Sequence, residues 1–205
     1  NTLHGGKKGF NKKVWDYAED GEKLVLSYIS KDGEERFPAG LKVRALFSLN
    51  ASAISIEYFA YAEDDTAVNL TNHTYFNLNG EDSGSVLEHK VLINSDCEFA
   101  EEKRIGKLFD KNFFLKKDSE KSAASATGDK TGLKLSVFTD RPCLQFYTAG
   151  ELMRTVGKSL YDCASGLCFE TQYEPNDINK KKNSVLRRGE TFYSKTIYNF
   201  QTRGN

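Results

Sequence analysis

The chain has 205 residues, with 29 Lys and Arg against 29 Asp and Glu. A formal net charge of zero removes the electrostatic motive for a nucleic-acid or membrane-surface partner, and no stretch approaches the roughly 20 apolar residues of a membrane span. The length suits a single domain over residues 1–205, large enough to bury a core, and the opening residues do not read as a signal peptide.

Taken in order, the chain opens on Leu3-His4-Gly5-Gly6, where the glycines let the backbone crowd a ligand. Leu41, Val43, Ala45, Phe47 and Leu49 then alternate with Lys42, Arg44 and Ser48, Leu46 being the exception. Ile54, Ile56 and Tyr58 alternate with Ser55 and Glu57. A polar motif follows, Asn69-Leu70-Thr71-Asn72-His73-Thr74-Tyr75-Phe76-Asn77-Leu78. Ser95-Asp96 is a plausible cap for a turn or two of helix over Cys97–Lys103. Lys116–Lys130 is polar and reads as a mobile loop. Leu133, Leu135 and Val137 resume the alternation, as does the run from Phe192 to Phe200. Turn signals separate these runs at Lys31-Asp32-Gly33, Asn79-Gly80, Thr127-Gly128-Asp129 and Arg188-Gly189. Period-2 patterning with no long helical period predicts an all-β protein, a large antiparallel β-sandwich.

Cys97, Cys143, Cys163 and Cys168 show neither Cys-x-x-Cys nor zinc spacing and read as reduced core thiols. Glycosylation sequons begin at Asn50, Asn69 and Asn72. Two lie inside the histidine motif, where a glycan would block any site, and this favours a cytoplasmic protein. Lys180-Lys181-Lys182 reads as a solvated loop.

The candidate site groups are His4, His73, Asp110, Gln145 and Glu170. Alternation turns Gln145 away from Leu144 and Phe146, and Glu170 away from Leu167 and Phe169, so two apolar strands present an amide and a carboxylate on their other face. Partial burial of Glu170 would raise its pKa and suit it to act as a base near neutral pH. Histidine changes charge between about pH 5 and 8, which suits His73 to pass a proton. Each group also has an ordinary structural reading: a satisfied turn histidine, a turn-forming aspartate, a paired strand glutamate. His89, after Glu88 at the start of a strand, reads as surface. Trp15, Tyr75 and Phe76 are either core or faces on which a ligand ring stacks.

Taken together these pieces resemble the aldose 1-epimerases, also called galactose mutarotases. The resemblance rests on Asn1-Thr2-Leu3-His4-Gly5-Gly6, Gly9-Phe10, Val14-Trp15, the 69–78 motif, Phe109-Asp110-Lys111-Asn112-Phe113, Leu144-Gln145-Phe146-Tyr147-Thr148 and Cys168-Phe169-Glu170-Thr171-Gln172, in that order. It implies a sugar cleft on a galactose mutarotase-like sandwich. It also implies Glu170 as general base, His73 as general acid, and His4, Asp110 and Gln145 as substrate-orienting residues. The implied reaction interconverts the α and β anomers of free hexoses such as glucose and galactose by opening and reclosing the ring. The partner is then a small-molecule aldose, and no metal or organic cofactor is required. The sequence leaves the oligomeric state open.

The family carries strands ahead of the His-Gly-Gly motif, one of which supplies an Asn-Arg pair that reaches the sugar. Here the chain begins at the motif, so an amino-terminally incomplete sandwich with weakened turnover is expected. Two alternatives stand beside the epimerase: a non-catalytic sugar-binding remnant and a hexose-6-phosphate epimerase. The latter needs grouped arginines, and only Arg141 lies close to the site motifs.

Overall fold

Alternating apolar and polar residues satisfy their backbone by pairing strands, and the computed structural model describes residues 2–117 and 121–202 in that form. The chain divides into two units. The first takes residues up to 50 with 54–70 and 176–195, and the second takes 51–53, 71–175 and the residues from 196 onward.

The first unit holds β1 (Asp16–Asp20), β2 (Lys23–Ser30), β3 (Leu41–Asn50), β4 (Ala53–Ala62) and β5 (Thr66–Ala67). β1 pairs antiparallel with β2, and β2 pairs with β3 from Lys23↔Ser48 to Ser30↔Leu41. Leu41, Val43 and Ala45 are buried while Lys42 and Arg44 are exposed, as the alternation requires. The pattern stops short of Leu49, which is 70% exposed.

The second unit builds two larger antiparallel sheets and a two-stranded one. Its strands are β6 (Lys90–Ile93), β7 (Lys103–Arg104), β8 (Asp110–Phe114), β9 (Ala124–Thr127), β10 (Lys134–Thr139), β11 (Cys143–Tyr147), β12 (Thr155–Val156), β13 (Leu160–Tyr161) and β14 (Cys168–Gln172). β15 (Val185–Leu186) belongs to the first unit and pairs with β5. β16 (Thr191–Gln201) passes into the second unit at Thr196. Of the two larger sheets, one runs β7-β6-β9-β10-β16 and the other β8-β11-β14, while β12 and β13 form the two-stranded one. Leu144, Phe146 and Phe169 lie almost wholly out of solvent on one face of the smaller sheet. Phe146 stacks on Phe169 and meets Phe109 and Phe99. The two sheets are joined by a bond between the Thr171 and Thr196 hydroxyls (2.5 Å) and by Tyr198 OH donating to the Phe169 carbonyl (3.1 Å).

Three sequence expectations are corrected. Cys97–Lys103 forms turns, with Ala100 N–H donating to the Cys97 carbonyl, and ends in β7. Its one deeply buried side chain, Phe99, anchors the segment, and a single anchor gives no helical face to bury. Within Lys116–Lys130, residues 118–120 lie outside the described residues, but Ala124–Thr127 is β9, buried between β6 and β10. Its composition looked loop-like because Ala and Ser are small enough to pack tightly there. His89 is fully buried, not on the surface. Its Nε2 accepts the Leu78 N–H (3.0 Å), which leaves the proton on Nδ1, 3.1 Å from Asp129 Oδ1.

Burial holds the His89 pKa below its ordinary range, against the pull of Asp129. Above about pH 6.5 the folded and unfolded chains are both neutral at this residue; below it, the unfolded chain takes up a proton that the folded chain resists, so stability falls as pH falls. His89→Ala is expected to cost about 3 kcal/mol at pH 7.5, through the orphaned Leu78 N–H and the space left behind. Urea denaturation between pH 7.5 and 5.5 should also show a shallower acid loss in the variant than in the parent.

Candidate active site

The site is read most directly from the register of the smaller sheet. Leu144 and Phe146 turn to the buried aromatic face, so Gln145 and Tyr147 turn to the other. Cross-strand pairing then sets Asn112, Gln145 and Glu170 in one row, and Asp110, Tyr147 and Cys168 in the next. β14 is buried along its whole length, which removes Glu170 from water in spite of its charge. The head of β8 is clamped under Asp110, where Phe109 N–H donates to Thr148 Oγ1 (2.7 Å) and Thr148 N–H donates to the Phe109 carbonyl (2.9 Å).

His73 comes from a segment without regular structure. Phe76 and Leu167 exchange backbone hydrogen bonds, which pins that segment to the residue just before β14. Upstream, the Asn72 side chain accepts from the Thr74 N–H and hydroxyl, a local turn that shapes the backbone around the imidazole. His73 Nε2 thereby stands 3.5 Å from Glu170 Oε1. The imidazole is about a third exposed and the carboxylate is buried, so the pair opens to solvent on the histidine side. Tyr75 stacks on the imidazole (5.1 Å between centroids) and Tyr147 meets it edge-on.

Beside the pair, Gln145 Nε2 donates to Asp110 Oδ1 at 2.6 Å. Burial pushes the Glu170 pKa up to about 7, and the neighbouring Asp110 charge pushes in the same direction. A carboxyl poised there exchanges its proton at neutral pH, which an ordinary surface glutamate does not. Burial also raises the Tyr75 phenol, to about 12, and raises the Cys168 thiol, so both stay protonated.

The structure therefore brings His73, Asp110, Gln145 and Glu170 together in the second unit. His4 lies in the first unit, in a left-handed run with Gly5 and Gly6 (φ 53, 77 and 99). That turn is held by the Lys7 N–H donating to Glu35 Oε2 (2.8 Å), and a side chain on Gly6 would collide with the same carboxylate. Asn72 is engaged by its own turn, and Asn77 donates to the Gly84 and Ser165 carbonyls. Phe76 is half-buried against Tyr198 and Phe200, while Trp15 packs with Phe10 and Tyr28; of the three aromatics singled out, Tyr75 is the one beside the pair. Asn112 and Tyr147 were missed as site residues, although their parity with Asp110 and Gln145 carries the signal.

An all-β chain with a buried carboxylate against an imidazole has the apparatus of an acid–base enzyme. The aldose 1-epimerase family model matches residues 1–199. Galactose mutarotase from Sus scrofa is 34% identical over 236 aligned positions, which cover 98% of this chain and 69% of the relative. Aldose 1-epimerase from Escherichia coli K12 is 32% identical, with 98% of this chain and 70% of the relative covered. Two solved structures share the fold. A GalM/aldose epimerase homologue from C. elegans gives a TM-score of 0.90 at 21% identity, over 99% of this chain and 73% of that one. Galactose 1-epimerase from Lactobacillus acidophilus NCFM gives 0.86 at 24% identity, over 98% and 70%. The chain belongs to the aldose 1-epimerase family. It is an isomerase with a galactose mutarotase-like fold.

A raised folded-state pKa means that the Glu170 charge opposes folding at neutral pH. Its contribution is most favourable below the unfolded value of 4.5 and is lost as pH rises to about 7. Glu170→Gln is therefore expected to stabilise the protein at pH 8, by up to about 3 kcal/mol, measured by thermal or urea unfolding. Asp110→Asn should lower the Glu170 titration, followed by carboxyl carbon NMR.

Proposed function

We propose that the chain interconverts the α and β anomers of a free hexose, with Glu170 as base and His73 as acid. The observation that supports this reading most is the 3.5 Å approach of a solvent-facing imidazole to a buried carboxyl that titrates near neutrality. The two oxygens that exchange protons in the reaction, the C1 hydroxyl and the ring oxygen, are bonded to the same carbon. They lie closer together than the two protein atoms, so an adjacent acid and base can address both from one side.

In the forward step the Glu170 carboxylate takes the C1 hydroxyl proton. The electrons of that O–H bond form the C1=O double bond. The C1–ring-oxygen bond breaks, its electrons going to the ring oxygen, which takes a proton from the His73 imidazolium. Rotation about C1–C2 exposes the other face of the aldehyde, and the reverse transfers close the ring as the other anomer. The pair holds one proton between its members before and after opening, only on different partners, so it is ready for reclosure without help from solvent. Asp110 and Gln145 orient the sugar through directional hydrogen bonds to its hydroxyls. Tyr75, about half exposed beside the imidazole, offers an aromatic face to the ring.

A sugar-phosphate reading loses its support. It calls for several arginines grouped at one place, and Arg141, the one near the site motifs, is engaged by Asp140 (3.0 and 3.1 Å) and lies over the Tyr173 ring.

Polarimetry of fresh α-D-glucose and α-D-galactose tests the proposal. The rate above the spontaneous one should fall about 10²–10⁴-fold in Glu170→Gln and in His73→Ala. Its acid limb should lie near pH 7, because the base must be ionised. Equal rates for the parent and Glu170→Gln would overturn the assignment.

A further inference from the structure

We propose that Asn112 is a positioning residue of this site: its amide NH₂ donates to Gln145 Oε1, completing a relay from Asn112 through Gln145 to Asp110. The proposal rests on the functional reading above for its kinetic consequence, but its structural content stands separately.

The argument begins with two orphaned acceptors. Among the described residues, Gln145 Oε1 and Asn112 Oδ1 are both sealed from solvent and neither has a hydrogen-bond partner. Buried amide oxygens are nearly always paired, because water that would have bonded them has been removed. Here the two orphans belong to residues paired directly across β8 and β11, with side chains on the same face. Such cross-strand pairs carry their Cβ atoms about 4.5–5.5 Å apart, within reach of one amide-to-amide hydrogen bond.

One of the two amides is fixed. Gln145 Nε2 donates to Asp110 Oδ1 at 2.6 Å, and a half-turn of that amide would set oxygen against carboxylate. The other amide is unconstrained, because Asn112 makes no side-chain hydrogen bond as it stands. A half-turn about its Cβ–Cγ bond exchanges two groups of nearly identical shape. It brings an NH₂ to the sealed position, on the sheet face that Gln145 shares, and carries Oδ1 to the unsealed side that the NH₂ now occupies. A single rotation thus removes both orphans.

The consequence is mechanical. With Oε1 held by Asn112 and one N–H held by Asp110, Gln145 keeps a single N–H, pointing in one direction, for a sugar hydroxyl. Without Asn112 the glutamine side chain regains torsional freedom, and sugar binding weakens while the Glu170–His73 chemistry is left in place.

The test has two arms. In anomerisation kinetics, Asn112→Leu, which keeps volume but removes the donor, should raise KM about tenfold while kcat stays within about threefold and the acid limb near pH 7 does not move. In ¹H–¹⁵N spectra of the parent protein, one Asn112 side-chain N–H should exchange slowly with solvent, and the Gln145 NH₂ resonances should shift in Asn112→Leu. A wild-type KM in the folded variant, or an Asn112 NH₂ that exchanges as fast as surface amides, overturns the relay. The exchange measurement needs no variant and no turnover. If Glu170→Gln left the rate unchanged while the slow Asn112 N–H was present, the catalytic reading would fall and the relay would stand.

Discussion

Everything at this site follows from one carboxyl group kept out of water. Glu170 lies on a strand buried on both faces, and the cost of desolvating its charge brings its titration to neutrality. The strand is buried because Leu167 and Phe169 belong to the aromatic core, and the core turns Glu170 to the polar side because successive side chains point opposite ways. The same alternation in β8 and β11 supplies Asp110, Asn112 and Gln145 around it. The reactive group is thus a by-product of packing: the apolar residues that precede it in the chain decide both where it points and how tightly it holds a proton.

The histidine arrives by a different route. No strand carries it, so its position depends on a two-bond bridge between Phe76 and Leu167 and on a turn closed by Asn72. Much of what looks like ligand chemistry in the 69–78 motif is scaffolding for one imidazole. Dense runs of amides and hydroxyls are often read as binding surface, yet Asn72 and Asn77 complete the chain's own hydrogen bonds, as the irregular backbone of such a segment demands.

Strand periodicity made most of the fold legible. Leu41, Val43 and Ala45 are inside and Lys42 and Arg44 outside, and Gln145 and Glu170 share a face as their parity requires. What escaped were features that depend on neighbours distant in the chain. β9 is made of Ala and Ser and has no apolar alternation to announce it; it is a strand because β6 and β10 lie on either side. His89 follows a charged residue and looks exposed, but a backbone N–H eleven residues away and an aspartate forty residues away give it partners inside. Asn112 sat within a quoted motif and was passed over, because its importance lies in an unpaired oxygen that only coordinates reveal. The expectation of four core thiols fared unevenly. None of the four is in a disulfide; Cys143 and Cys168 are buried, Cys97 is half-buried and Cys163 is exposed.

That last distribution separates sulfur chemistry from sugar chemistry. Cys168 lies one row from Glu170, but burial and the adjacent carboxyl keep it a thiol, and a thiol without its anion is a poor nucleophile. Oxidants and alkylating reagents should therefore find Cys163, the exposed thiol, first. A fluorophore attached there through a maleimide would report on the chain while leaving the buried sulfur beside the base untouched.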